Sequence, residues 1–177
     1  MTNMQLVLEK ARKLKLLILD VDGVLTDGRL FFDNDGNEYK SFHARDGHGI
    51  KLLRQTGVEV AVISGRKSNS VALRMKSLGI EYVYQGHENK IAAFNEIIEK
   101  LGITPDQAAH VGDDLLDLPI MTRVGLAIAV NDANFAVKQR ADWCTTLSGG
   151  QGAVREVCDY IMQAQGSFDE VLGAYLI

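Results

Sequence analysis

Short apolar runs alternate along the chain with longer stretches whose apolar residues recur every three or four positions. Leu16–Leu19, Val58–Ile63, Tyr82–Tyr84, Ala108–Val111 and Leu126–Val130 are runs of the first kind, with a shorter one near Trp143–Thr145. Runs of this length, bounded by polar and turn-forming residues, predict buried strands. Asn89–Leu101 is of the second kind and sets Ile91, Phe94, Ile98 and Leu101 on one helical face. Further helices are predicted over Met4–Lys13, over Gly47–Gln55 with Gly57 as its stop, and from a Ser68 cap to Ser77 with Gly79 as its stop. Others start at Thr104-Pro105 and cover Leu115–Arg123, Asn134–Arg140 and Gly152–Gln165. Leu30–Phe32 and Tyr39–Phe42 flank DNDGN, a cluster of turn formers, which predicts a β-hairpin.

Strands alternating with helices predict an α/β fold, a mostly parallel sheet with helices on both faces. The 177 residues suit one domain, with the hairpin at about 28–42 as a flap. Hydrophobic residues make up 46% and charged residues 24%, the balance of a soluble globular protein. A net charge of −4 disfavours a nucleic-acid partner. Cys144 and Cys158 form no CxxC pair and read as free thiols in a reducing cytoplasm. Met4–Lys15 is too charged for a signal peptide, and no apolar run approaches the roughly 18 residues of a membrane span. The expected location is cytoplasmic, with no membrane partner.

Ligands of parallel sheets bind at the carboxyl ends of the strands, so the polar residues just after each apolar run gain weight. These are Asp20 and Asp22, then Ser64, Gly65 and Arg66, then Lys90 at a helix start, then Asp113, Asp114 and Asp117. Asp20, Asp22 and Asp113, if gathered, repel one another, and a hard divalent cation such as Mg2+ relieves that repulsion. A serine hydroxyl, amides freed by Gly65 and a lysine at a positive helix end suit a phosphate. Each residue alone also reads as an ordinary turn, cap or solvated helix position; the set is what points to chemistry. No phosphate loop, no GxSxG elbow and no EF-hand is present. His43, His48, His87 and His110 lack metal-ligand spacing and read as ordinary polar residues.

DVDGVLT at 20–26, ISGR at 63–66, Lys90 and GDDLLD at 112–117 resemble, in order and spacing, the four motifs of the haloacid dehalogenase superfamily of phosphotransferases. The small hairpin in place of a large cap, KSFHARDGHGIK at 40–51 and GGQGAVREVCDYI at 149–161 resemble, more narrowly, the superfamily's phosphatases of 3-deoxy-D-manno-octulosonate 8-phosphate (KDO 8-phosphate). The resemblance implies a three-layer Rossmann-like fold and Mg2+-dependent hydrolysis of a small acidic sugar phosphate, in the KDO branch of lipopolysaccharide biosynthesis. It implies that Asp20 is the nucleophile and Asp22 the acid/base. Magnesium would be held by the Asp20 carboxylate, the Asp22 carbonyl and Asp113, with Asp114 and Asp117 in support. Ser64 and Lys90 would hold the phosphoryl group. It makes Asp22, His43, Arg45, Asp46, Gly47, Lys51, Gly65, Arg66, Arg74 and Lys90 the candidate substrate contacts. It also implies a homotetramer, which agrees with the aromatic and apolar load of the hairpin, since an isolated two-stranded element is marginal in water.

Two alternatives stand beside this reading. A nine-carbon sugar acid 9-phosphate could be the substrate, because the chemical motifs do not distinguish the sugars. A non-catalytic phosphoacceptor domain also gathers aspartates, a hydroxyl and a lysine, but the acceptor on the first strand and an added acid/base at Asp22 argue against it. The tail from Ser167 to Ile177 carries no assignment.

Overall fold

The computed structural model describes residues 3–87 and 89–176. Its centre is a six-stranded parallel sheet in the order β5-β4-β1-β6-β7-β8. The strands are β1 (Leu16–Leu19), β4 (Glu59–Ser64), β5 (Tyr82–Gln85), β6 (Ala108–Gly112), β7 (Leu126–Ala129) and β8 (Trp143–Cys144). β1 lies between β4 and β6, and all four of its residues are buried. An apolar run without polar alternation is what a strand covered on both faces requires.

Alternate residues of the strands feed two cores. Leu17, Leu19, Val60 and Val62 join the larger one, with α1 (Asn3–Ala11), α2 (Ala44–Gln55), α3 (Asn69–Leu78) and α7 (Ala153–Gln165). Leu16, Ile18, Ala61 and Ile63 join the smaller one, with Phe94 and Ile97 of α4 (Lys90–Leu101) and Ile120 of α5 (Leu118–Met121). The predicted α/β architecture is therefore present in three layers. α1 is held at two points: Lys10 pairs with Asp142, just before β8, at 2.5 Å, and the Gln165 amide at the end of α7 donates to the Ala11 carbonyl at 3.2 Å and to the Leu14 carbonyl at 2.8 Å.

The hairpin is shorter than predicted, with only β2 (Phe31–Phe32) and β3 (Glu38–Tyr39) paired. Its turn is built by Asp33, whose carboxylate accepts from the Asp35 and Asn37 amides, with Gly36 in the left-handed region. Several helices also differ from expectation. α2 begins three residues earlier, at Ala44. Pro105 opens only a single 3-10 turn, because Ala108 already enters β6. Leu115–Arg123 is broken: a 3-10 turn over Leu115–Asp117 precedes α5, since Pro119 has no N–H and tolerates only a first helical turn. α6 covers Phe135–Lys138, capped by the Asn134 side chain. The tail, unassigned from sequence, forms α8 (Phe168–Gly173).

Candidate active site

The register sets the first residues. Leu19 pairs with Val62 and with Val111, so Asp20, Ser64 and Asp113 leave neighbouring strands within two rungs of one another. The Asp20 amide still bonds to the Val111 carbonyl at 3.2 Å, after which the chain turns away. The Leu25 and Thr26 amides both donate to the Val21 carbonyl at 3.0 Å and hold that turn. Gly23 has φ +91°, and a Cβ there would lie 2.1 Å from Asp113 Oδ2. Only glycine lets the two loops approach so closely.

The loop is braced from behind. A Cβ on Gly149 would lie 1.7 Å from the Gly23 carbonyl oxygen, and one on Gly150 would lie 2.4 Å from the Asp27 nitrogen. The Gly150 amide donates to the Val24 carbonyl at 2.9 Å, and the Gly149 amide to Asp132 at 2.9 Å. Asp27 stands apart from the chemistry and accepts from the Arg29 amide as a turn residue.

Lys90 begins α4 and is buried. An ammonium at a positive helix end needs compensation. Asp20 Oδ1 at 2.9 Å and Asp117 Oδ1 at 2.7 Å supply it and raise the affinity of Lys90 for its proton, against the effect of burial. Asp117 folds back over Gly112, where a Cβ would lie 2.4 Å from its own Cβ. Its Oδ2 accepts from the Asp113 and Asp114 amides at 2.9 and 3.3 Å, and His110 Nε2 lies 3.0 Å from its Oδ1. Burial alone would raise the Asp117 pKa, but His110 and Lys90 outweigh it and hold the group well below the ordinary carboxylate range.

The other two carboxylates are under-compensated. Burial, reinforced by Asp117 and opposed by Lys90, pushes Asp20 up to about 6. Burial, then Asp20, Asp117 and Asp114, push Asp113 up to about 8. Carboxylate oxygens of Asp20, Asp113 and Asp117 come within 4.8 Å of one another. Asp117 already spends both oxygens on internal partners, whereas Asp113 Oδ1 is buried with no hydrogen-bond partner among the described residues. Asp20 and Asp113 are thus the free donors, and a hard divalent cation fits them.

Ser64 is buried at the end of β4, and its Oγ accepts from the Arg66 amide at 3.3 Å. Asp22 points toward the hairpin. Lys40 pairs with its Oδ1, and Arg66 Nε stands 3.7 Å from its Oδ2. Asp114 caps the 3-10 turn by accepting from the Leu115 amide at 2.8 Å. Together Asp20, Asp22, Ser64, Gly65, Arg66, Lys90, Asp113, Asp114, Leu116 and Asp117 line a pocket of about 160 Å3. Sites that engulf a whole ligand usually run to ~300–1,000 Å3, so this pocket suits a phosphoryl group and an ion, with the rest of a substrate outside. A wider depression of about 750 Å3, lined by Lys13, Lys15, Gly57 and Gln107 among others, shares none of these residues.

The remaining candidates do not line this pocket. Asp46 is buried between α2 and α7 and accepts from the Arg155 amide at 2.8 Å; burial raises its pKa. Arg45 lines a separate cavity with Trp143, Arg155 and Tyr160. Lys51 lies in another depression beside Arg54 and Lys76. Gly47 faces the Arg74 guanidinium, which a Cβ would meet at 2.1 Å. His43 is the residue before α2, and its Nδ1 is buried without a hydrogen-bond partner among the described residues.

Three residues that sequence reasoning left out belong to the site's surroundings. His110, set aside as an ordinary polar residue, sits beneath it on Asp117. Glu38 and Lys40 reach it from the hairpin. The available signal was their i, i+2 spacing, which puts two opposite charges on one face of a strand.

Comparison with known proteins agrees with this geometry. A family model described as haloacid dehalogenase-like hydrolase matches residues 80–157. The 3-deoxy-D-manno-octulosonate 8-phosphate phosphatase KdsC of Escherichia coli K12 is 51% identical over 167 residues, 94% of this chain and 89% of that protein. The phosphatase of that name from Moraxella catarrhalis, solved with magnesium, phosphate and KDO, superposes with a TM-score of 0.95 at 40% identity, covering 97% of this chain and 99% of that one. The one from Yersinia pestis superposes with a TM-score of 0.92 at 43% identity, covering 93% and 89%.

Proposed function

Because this chain belongs to the haloacid dehalogenase-like hydrolases, among the 3-deoxy-D-manno-octulosonate 8-phosphate phosphatases, we propose that it hydrolyses that sugar phosphate to KDO and inorganic phosphate. The observation that carries the reading is the Asp20 carboxylate, held at 2.9 Å by buried Lys90 in a pocket of phosphoryl size beside Ser64 and Asp113. The sugar acid and phosphate bound by the Moraxella catarrhalis relative support the substrate class.

Asp20 attacks phosphorus, and the sugar oxygen leaves with a proton from Asp22. The aspartyl phosphate so formed splits one difficult displacement into two. Asp22 then takes a proton from the water that attacks phosphorus and frees Asp20. Lys90 fixes one Asp20 oxygen and leaves the other to react. It also places positive charge beside the equatorial oxygens, as the Ser64 hydroxyl and the Gly65 amide place donors. Asp20, Asp113 and the Asp22 carbonyl would hold Mg2+. When bound, the ion neutralises the carboxylates and the negative charge of the transferring group.

The sugar and its carboxylate extend beyond the pocket toward the hairpin and Arg66. His43, Arg45, Lys51 and Arg74 would contact substrate in the assembled enzyme, working in the cytoplasm, while buried Asp46 and Gly47 would set the start of α2 beside them. Exposed Phe31, Phe32 and Tyr39 support a homo-oligomer, a tetramer, in which hairpins meet neighbouring chains. Light scattering should show four copies; a monomer at working concentration refutes that part. No helix among the described residues is long and apolar enough to cross a membrane.

The deciding assay measures phosphate release with Mg2+ from KDO 8-phosphate, a sialic acid 9-phosphate and hexose phosphates. KDO 8-phosphate should give the highest kcat/KM, and Asp20→Asn should abolish turnover of all of them. A hexose phosphate turned over tenfold better would overturn the substrate, and full activity of Asp20→Asn would overturn the mechanism.

A further inference from the structure

The charges on the hairpin have no part in the steps above, yet they meet at Asp22. The Lys40 side chain is 1% exposed. It pairs with Asp22 Oδ1 and, at 3.0 Å, with Glu38 Oε1. The other Glu38 oxygen pairs with Arg66 Nη2. Asp22 Oδ2 is buried and has no hydrogen-bond partner among the described residues, with the Arg66 Nε standing off at 3.7 Å. The two oxygens of one carboxylate are thus in different situations, and the difference is made by a residue of the flap.

We propose that Lys40 is a positioning residue for Asp22: oriented by Glu38, it pins Oδ1 so that Oδ2 alone faces the leaving oxygen and carries the shuttled proton. The inference rests on the acid/base reading of Asp22. The terminal torsion of an aspartate is broad and nearly two-fold, so an unpinned carboxylate presents either oxygen over a range of angles. A donor on one oxygen removes that freedom. An ammonium suits the task because it has three donors and no acceptor. It holds Oδ1 both when Oδ2 bears the proton and when Oδ2 has lost it, and it cannot itself receive the proton. As the phosphorus–oxygen bond to the sugar breaks, the proton moves from Oδ2 to the sugar oxygen. As water attacks the aspartyl phosphate, a proton moves from water to Oδ2. Lys40 exchanges none. A lysine so completely buried is retained only where its partners compensate its desolvation, and both partners here are carboxylates.

The test is leaving-group dependence, measured on the full-length protein with Mg2+. Lys40→Met, Lys40→Arg and Asp22→Asn are each assayed on KDO 8-phosphate and on aryl phosphates ranging from p-nitrophenyl to phenyl. General-acid assistance matters most for a basic leaving group. Asp22→Asn should lose about 10²–10³-fold on the sugar phosphate, only a few-fold on p-nitrophenyl phosphate, and show a steeper slope across the aryl series. Lys40→Met should repeat that pattern with at least about a tenfold loss on the sugar phosphate, and Lys40→Arg should restore the slope. Equal losses on every substrate, or no loss, overturn the proposal. So does a loss confined to the sugar phosphate with the aryl slope unchanged, which would make Lys40 a sugar contact. A normal slope in Asp22→Asn brings down the acid/base reading itself, a result distinct from failure of Lys40 alone. If Lys40→Met does not fold, Glu38→Gln with Lys40→Arg supplies the same comparison.

Discussion

Replacing Asp113 by Asn should stabilise the metal-free protein. Asp113 is pushed from its ordinary value of 3.8 up to about 8 by burial and by the neighbouring aspartates. The folded state therefore binds a proton more tightly than the unfolded chain does. Linkage then makes stability fall as pH rises from about 4 to about 8, with the full loss present above that window. At pH 7 the solution is about three units above the ordinary value, which at ~1.36 kcal/mol per unit sets a ceiling near 4 kcal/mol. Partial solvent access and local rearrangement reduce this to about 2 kcal/mol. Asn is nearly isosteric and uncharged, and Oδ1 has no hydrogen bond to lose among the described residues. For a chain of this size, about 2 kcal/mol is roughly 4–8 °C in Tm. Thermal unfolding in chelator at pH 7.5 should show the variant melting higher by that amount, and the gap should close near pH 4.5. Magnesium should raise the Tm of the parent protein and barely move that of the variant, because a ligand stabilises only a state that binds it. A variant that melts at or below the parent in chelator at pH 7.5, or a gap that persists unchanged at pH 4.5, refutes the reasoning.

Lys90→Met leaves Asp20 and Asp117 buried without their cation; it should cost about 3–5 kcal/mol by denaturant titration and abolish phosphate release. Asp117 behaves oppositely to Asp113 on the pH axis. Its pKa is lowered in the fold, so its contribution is complete above the ordinary carboxylate range and lost as pH falls below about 4, and Asp117→Asn should flatten the acid limb of the stability profile. Gly149→Ala puts a Cβ 1.7 Å from the Gly23 carbonyl, where backbone meets backbone. It should lower stability by about 1–3 kcal/mol and reduce kcat more than it raises KM, as scanning calorimetry and steady-state kinetics would show.

Much of this arrangement was legible in the sequence because the parallel sheet enforces it. A strand buried on both faces has no polar alternation, so Leu16–Leu19 and Val58–Ile63 announced themselves, and the strand-end rule then picked out Asp20, Ser64 and Asp113. The hairpin was legible from its turn chemistry. Its relation to the sheet was not, since no local pattern says which way a flap leans, and so Glu38 and Lys40 escaped notice. His110 was illegible for a related reason: a polar residue within a strand reads as surface, and only the fold-back of Asp117 over Gly112 makes it an internal partner. The broken helix at Pro119 was readable but was overruled by an apolar periodicity that spanned it. The contact of Asp46 with Arg155 was illegible, because it joins segments 109 positions apart.

The brace of Gly149 and Gly150 against the Asp20 loop has a consequence for synthesis. All four catalytic motifs leave the ribosome within the first 117 residues. The backbone that packs on Gly23 and Thr26 is made some thirty residues later, and the helix that clasps α1 later still. A nascent chain that already carries its nucleophile, acid, lysine and metal ligands lacks the wall that holds the nucleophile's loop. Contacts of such long sequence separation close late. Competence for phosphoryl chemistry therefore arrives only after the segment from residue 149 onward has been made, and a chain that stalls before residue 149 is an unfinished scaffold rather than a weak enzyme.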